Sequence, residues 1–113
     1  MQVKSKLLKR GSQIPYKVFR DGGNEHYNVR IYLYAKPKTM TSIEKVEYFL
    51  HPSFRNARRV STDRDNDFAI EIWTWGMFEI DATVHFSNGE TQELTHSLKY
   101  SLPADDGSNY LKL

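Results

Sequence analysis

Phe78, Ile80, Ala82, Val84 and Phe86 alternate with Glu79, Asp81, Thr83 and His85, a period of two held across nine residues. This predicts a strand with one face in a core and the other in water. Val29, Ile31, Leu33 and Ala35 alternate in the same way with Arg30, Tyr32 and Tyr34, and Phe68, Ile70 and Ile72 alternate with Ala69, Glu71 and Trp73. Further strands are expected over 14–19, 43–50, 58–61 and 92–100. Turn chemistry separates them, notably Asp21-Gly22-Gly23-Asn24 and the polar run from Asp63 to Asp67. No stretch carries a convincing helical period, an internal repeat or low complexity.

The turn at Ser87-Asn88-Gly89 allows a deduction about register. The strand after it keeps its apolar residues, Leu94, Leu98 and Tyr100, at even positions, as the strand before it does. A two-residue Asn-Gly turn would pair Phe86 with Thr91 and turn odd-numbered polar residues into the core. A three-residue loop, Ser87 to Gly89 with Gly89 left-handed, pairs Phe86 with Glu90 and Ala82 with Leu94 and keeps even with even. The three-residue loop is therefore expected.

Seven or eight short strands with turn signals every about 8 to 12 residues are the pattern of an all-β, immunoglobulin-like antiparallel β-sandwich. At 113 residues the chain is long enough for one continuous core. The expected division is a basic N-terminal segment over 1–12 and a single sandwich domain over 13–113. Aromatics at 13% with charged residues at 27% describe a folded, aromatic-rich domain and exclude a disordered one. Cysteine is absent, which removes disulfides, thiolate metal sites and a cysteine nucleophile. Met1 to Arg10 has only Leu7-Leu8 among Lys4, Lys6, Lys9 and Arg10, too little for a signal peptide or membrane span. The reading is a cytoplasmic protein, nuclear if eukaryotic, with no membrane contact.

A formal charge of +2 gives no ground for nucleic-acid binding, and none is expected. Its distribution is more informative. Six basic residues fall in the first twenty, and Arg55, Arg58, Arg59 and Arg64 cluster further on. They read as a solvated tail and strand, or as an electrostatic guide for an acidic partner.

Candidate chemistry concentrates in His51-Pro52-Ser53-Phe54 and Trp73-Thr74-Trp75-Gly76-Met77-Phe78, each where a strand pattern ends. Both should lie in loops at the rim of a sheet, where binding residues gather. Trp75 shares a face with Trp73 opposite the Phe68, Ile70, Ile72 stripe, and exposed aromatic surface usually has a partner. Phe54 and Phe78 read equally as core aromatics, and His51 with Ser53 equally as a hydrogen-bonded turn lock. His85 and His96 fall on opposite faces, so no metal site is expected. Nor is a cofactor. Catalysis is not expected either, since there is no nucleophile elbow, orienting acid or glycine-rich phosphate loop.

Taken in order, Ile43-Glu44-Lys45-Val46, His51-Pro52-Ser53-Phe54, Arg59-Val60, Phe68, Trp75-Gly76-Met77-Phe78-Glu79-Ile80 and Leu94-Thr95-His96-Ser97-Leu98 resemble the YEATS domain, most closely its prokaryotic branch. The resemblance spans roughly 27–102. It implies a non-enzymatic module whose rim loops form an aromatic slot for acylated lysine, of acetyl or crotonyl type, on a protein or peptide partner. By similarity Phe54 and Trp75 form the walls, and Phe78 and His51 pack the end. Ser53 offers its hydroxyl to the amide, and the backbone N–H groups of the Thr74, Trp75, Gly76 turn hold the acyl oxygen. Thr74 stands where glycine is common and Met77 where an acid or glycine is common. A β-branched residue resists positive φ, so the backbone there is expected to take another route. The first rim loop, Gly22 to His26, lacks the aromatic found in several eukaryotic members, which implies a slot open on that side.

Two other readings of the same residues remain. One is carbohydrate stacking on Trp73 and Trp75. The other, the stronger alternative, is a protein-interaction module of a prokaryotic signalling or defence system that uses the sandwich without acyl-lysine chemistry. Oligomeric state is not readable from the sequence.

Overall fold

The period-two segments become strands in the computed structural model, which describes residues 1–19 and 23–113. Strand β3 (Glu25–Tyr34) is the spine of a five-stranded sheet, with Tyr27, Val29, Ile31 and Leu33 buried on its inner face. Strands β1 (Gln2–Leu7) and β2 (Ile14–Val18) run in succession along one edge of β3, with Leu7 opposite Val29 and Tyr16 opposite Tyr27. Strand β6 (Ile70–Thr74) takes the other edge, and the short β9 (Tyr110–Lys112) adds to β2 in parallel. The second sheet has the order β5 (Arg58–Ser61), β4 (Ile43–Phe49), β7 (Phe78–Phe86), β8 (Thr91–Leu98), antiparallel throughout. Between the sheets lie Val46, Tyr48, Ile80, Ala82, Val84 and Leu98 from one side and the β3 stripe with Ile72 from the other. Each large apolar side chain so buried contributes roughly 1.5–3 kcal/mol.

The expected hairpin register is observed. Ala82 lies opposite Leu94, the Phe86 N–H donates to the Glu90 carbonyl at 2.9 Å, and Gly89 has φ of 90°. A Cβ built on Gly89 meets no atom within 4 Å, so a substitution there tests backbone conformation alone. Gly89→Ala should destabilise the domain by about 1–2 kcal/mol, the cost of a left-handed L-residue, with no change in binding. Urea unfolding measures it; an unchanged midpoint would mean the loop adopts another turn.

Among the described residues there are nine strands, against seven or eight expected, and the two unanticipated ones lie at the ends. The basic N-terminal stretch, read above as a segment preceding the sandwich, supplies β1. Its period was hidden because the polar Ser5 stands between the two apolar inward residues, Val3, 4% exposed, and the partly buried Leu7. Ser5 also points inward and is satisfied by a 2.8 Å hydrogen bond between its Oγ and His96 Nε2 of β8, across the two sheets. Burial holds the His96 imidazole below its ordinary pKa. Strand β9 is three residues long and pairs in parallel, too little to leave a periodic signal.

The strand expected from Phe68 begins instead at Ile70, because Asp67 and Phe68 both adopt left-handed backbone, φ of 56° and 53°. Such a conformation costs on the order of 1–3 kcal/mol for a bulky residue and persists only where its surroundings over-determine it. Here Phe68 is fully buried, its N–H donates to the Asp63 carbonyl at 2.9 Å, and the buried Tyr48 hydroxyl donates to its carbonyl at 2.7 Å. A one-turn helix, α1 (Pro37–Met40), which no periodicity announced, links β3 to β4 with a proline in its first turn. The Arg64 guanidinium donates to the Met40 and Ile43 carbonyls at 3.1 and 2.9 Å. Arg58 pairs with Glu47 at 2.7 Å, and Arg59 donates to the Asn56 carbonyl at 2.5 Å. Three arginines of that run are therefore held by hydrogen bonds within the chain.

On the outer face of the second sheet Glu47 also bonds His85. Burial alone would raise the Glu47 carboxyl, but the hydrogen bonds from His85 and Arg58 outweigh it and hold it below the usual carboxylate range. His85 and His96 thus face opposite ways, as the register required. Among the described residues no helix is long and apolar enough to cross a membrane.

Candidate functional site

Both rim segments lie at one end of the sandwich because of the β4–β7 register. Phe49 lies opposite Asp81, so the chain leaving β4 at His51 emerges beside the start of β7 at Phe78. Leu50 still points into the core, and its N–H donates to the Ala57 carbonyl at 2.7 Å, which pinches off the excursion 51–56 before β5 begins. Within it the Phe54 N–H donates to the His51 carbonyl at 3.0 Å, closing a tight turn.

His51 and Ser53 do form the turn lock. The Ser53 backbone N–H donates to His51 Nδ1 at 3.1 Å, which makes that nitrogen an acceptor. The Ser53 hydroxyl, 2.8 Å from the same nitrogen, must therefore donate its proton to it. The consequence is chemical. Ser53 Oγ has spent its hydrogen and presents lone pairs outward, from an exposed position. Phe54 tucks back against the sandwich, half-buried, with its ring centroid 5.3 Å from that of Phe78, and the His51 ring stands 6.4 Å from Phe78 at 66°. His51, Ser53, Phe54 and Phe78 are thus one contiguous cluster.

The second segment is set by Thr74. Its Oγ1 accepts the Gly76 N–H at 3.3 Å and donates to the Gly76 carbonyl at 3.2 Å, so the threonine staples the turn that follows it. Thr74 itself is 4% exposed, in strand conformation at the end of β6, and needs no positive φ. Beyond it Trp75 stands 61% exposed and Met77 59% exposed. Trp73, expected to share exposed surface with Trp75, is half-buried and covered by the Lys17 ammonium, 4.4 Å from its ring centroid. Of the two tryptophans, Trp75 is the one presented to solvent.

The first rim loop holds a feature the sequence reading missed. Phe19 and His26 stack edge to face with centroids 4.6 Å apart, at the same end of the sandwich because Tyr27 lies opposite Thr74. The expectation of a loop without an aromatic considered only Gly22 to His26; Phe19, just past the end of β2, supplies one from outside that stretch. Arg20, Asp21 and Gly22, and with them part of the expected Asp21 to Asn24 turn, lie outside the described residues. Among the described residues no group of three or more metal-binding side chains comes together.

Comparison with known proteins places this arrangement. A family model described as the prokaryotic YEATS domain matches residues 27–99, which run from within β3 through β8 and include both rim segments. A search of curated protein sequences finds no match. Among solved structures, the crystal structure of the yeast AF-9 homolog Yaf9 superposes with a TM-score of 0.63 at 20% identity, over 89% of this chain and 65% of that one, just under two thirds of its length. The Yaf9 YEATS domain bound to H3K27ac gives a TM-score of 0.61 at 21% identity, over 89% of this chain and 70% of that one. The same domain recognizing an H3K122suc peptide gives 0.59 at 20% identity, over 86% and 67%. At such identity the structural likeness bears on the fold. The family match spans most of the sandwich and the two rim segments 51–54 and 73–78, and the chain belongs to the prokaryotic YEATS domain family.

Proposed function

We propose that this domain is a non-enzymatic module that binds acylated lysine, of acetyl or crotonyl type, on a protein or peptide. In this reading the acyl group is held between the exposed Trp75 ring and the Phe54–Phe78 pair, whose ring centroids are 5.3 Å apart. Acylation removes the lysine charge and leaves a flat amide with an apolar tail, which suits a gap between aromatic faces. The Ser53 Oγ, its proton held by His51, accepts the N–H of that amide, and the turn after Thr74 turns the Trp75 backbone N–H toward the acyl oxygen. His51 and Thr74 position these groups through their own hydrogen bonds. Support comes from two directions. Yaf9, which shares the fold, has been solved with acylated H3 peptides, and the observation that carries the reading for this chain is Trp75, 61% exposed on a turn stapled by Thr74.

The test is a titration with acetyl-lysine, crotonyl-lysine and unmodified peptides of one sequence, followed on the two indole N–H signals. The expected result is a saturable shift of the Trp75 signal with the acylated peptides alone, Trp73 moving little. Equal response to all three peptides, or to none, would leave the alternative, a protein-interaction module that does not read acylation.

A further inference from the structure

Beside this end of the sandwich, on the edge of β3 away from β6, three tyrosines meet. Register brings them together. Tyr16 lies opposite Tyr27, and Tyr110 lies opposite Ile14, an inward-facing neighbour of Tyr16 on β2. Their ring centroids form a nearly regular triangle, 6.5 Å from Tyr16 to Tyr27, 6.4 Å from Tyr16 to Tyr110 and 6.4 Å from Tyr27 to Tyr110. With Glu25 and Asp105 they line a hollow of about 300 Å³. Tyr100 backs it, 6.0 Å from Tyr27.

The lining consists of three phenol rings and two carboxylates, with Lys112 of β9 opposite Tyr16 on β2. The Tyr27 hydroxyl donates to Glu25 Oε2 at 2.6 Å, and Asp105 Oδ1 accepts the Gly107 N–H at 2.8 Å, so one oxygen of each carboxylate is anchored. The Tyr110 hydroxyl is tied to the Pro103 carbonyl at 2.6 Å. Burial raises the Tyr27 hydroxyl above its ordinary pKa, with the bond to Glu25 adding to it; burial, then the charges of Asp105 and Glu25, raise that of Tyr110. The Tyr27 and Tyr110 phenols are thereby held neutral beside the two carboxylates. Among the described residues no lysine or arginine forms a salt bridge with either. Aromatic faces with adjacent carboxylates attract a weakly hydrated organic cation and repel an anion.

We propose that this hollow is a second binding site, which takes an alkylammonium cation, borne by a lysine or N-methylated lysine of a protein or free in solution. The site is complementary to the slot, which takes a lysine whose charge has been removed, but does not depend on it. The probe is tetramethylammonium chloride, titrated into protein with ¹³C-labelled tyrosine rings against sodium chloride at equal ionic strength. The expected result is a saturable shift of Tyr16, Tyr27 and Tyr110 with tetramethylammonium alone. Asp105 is exposed in a loop, so Asp105→Asn keeps the fold; it should weaken the cation about threefold to fivefold, the effect of one exposed charge, and leave acyl-peptide binding unchanged. Shifts that grow linearly without saturating, that sodium reproduces, or that survive Asp105→Asn undiminished overturn the proposal. A trimethyl-lysine peptide that binds more tightly than tetramethylammonium assigns the site to a protein side chain, and equal affinity assigns it to a free cation. Since the probe carries no acyl group, a failed acyl-lysine titration leaves this result standing, and the reverse.

Discussion

Trp75→Ala is expected to remove measurable acyl-lysine binding and leave the melting temperature within a degree or two of the parent. The ring is 61% exposed, so truncation opens no cavity, while the loss of one stacking wall costs on the order of 1–3 kcal/mol by analogy with base–aromatic stacking. For a weak reader that is up to about a hundredfold in affinity. Phe78→Ala provides the contrast. Phe78 opens the inward stripe of β7 and supports both Phe54 and His51, but it is half-buried, so its cost should sit near the lower end of the roughly 3–5 kcal/mol seen for buried phenylalanine. Calorimetry and the peptide titration, run on both variants, separate the roles. If Trp75→Ala lowers the melting temperature as much as Phe78→Ala does, Trp75 is structural; if it melts normally and still binds every acylated peptide as before, the working surface lies elsewhere.

Phe68→Ala should produce the largest loss of stability of any single change, about 3–5 kcal/mol, a large share of the roughly 5–15 kcal/mol that holds a typical domain folded. Phe68 is fully buried, and its burial is what holds a left-handed backbone in place. Tyr48→Phe makes the milder test of the same point. It retains the ring and deletes the hydroxyl that donates to the Phe68 carbonyl, a loss of about 1–3 kcal/mol if that carbonyl stays buried and unpaired. Urea unfolding of the two variants measures both values. A loss under about 1 kcal/mol for Phe68→Ala would show that the segment 63–69 rearranges freely and that the core does not need it.

Which parts of the molecule were legible in the sequence follows from how locally each is determined. The β7 stripe and the β7–β8 register were readable because a period-two pattern on both arms of a hairpin admits one loop length, and a one-residue slip would expose a whole apolar face. The start of β5 at Arg58 and the ends of β7 were likewise placed by alternation against flanking turn residues. Strand β1 was not, since its inward Ser5 depends on His96, ninety-one residues away, for its hydrogen bond. The left-handed pair at Asp67 and Phe68 was hidden for the same kind of reason. Alternation alone favours a strand there, and only the fixed positions of Tyr48 and Asp63 overrule it.

For the candidate site the division is similar. The sequence by itself determined where the strand patterns break, at His51 to Phe54 and around Trp75 to Met77, although Trp73 and Thr74 belong to β6 and Phe78 to β7. Only the tertiary structure decided what those residues do there. It directed the Ser53 proton to His51, tied the Trp75 turn through Thr74 without positive φ, covered Trp73 with Lys17 and brought Phe19 onto His26. It also gathered Tyr16, Tyr27 and Tyr110 from three strands into one hollow. Side-chain periodicity reports burial, which is a property of a single segment; hydrogen-bond direction, ring contact and exposure at a loop depend on partners from distant segments, and those exist only once the two sheets have packed.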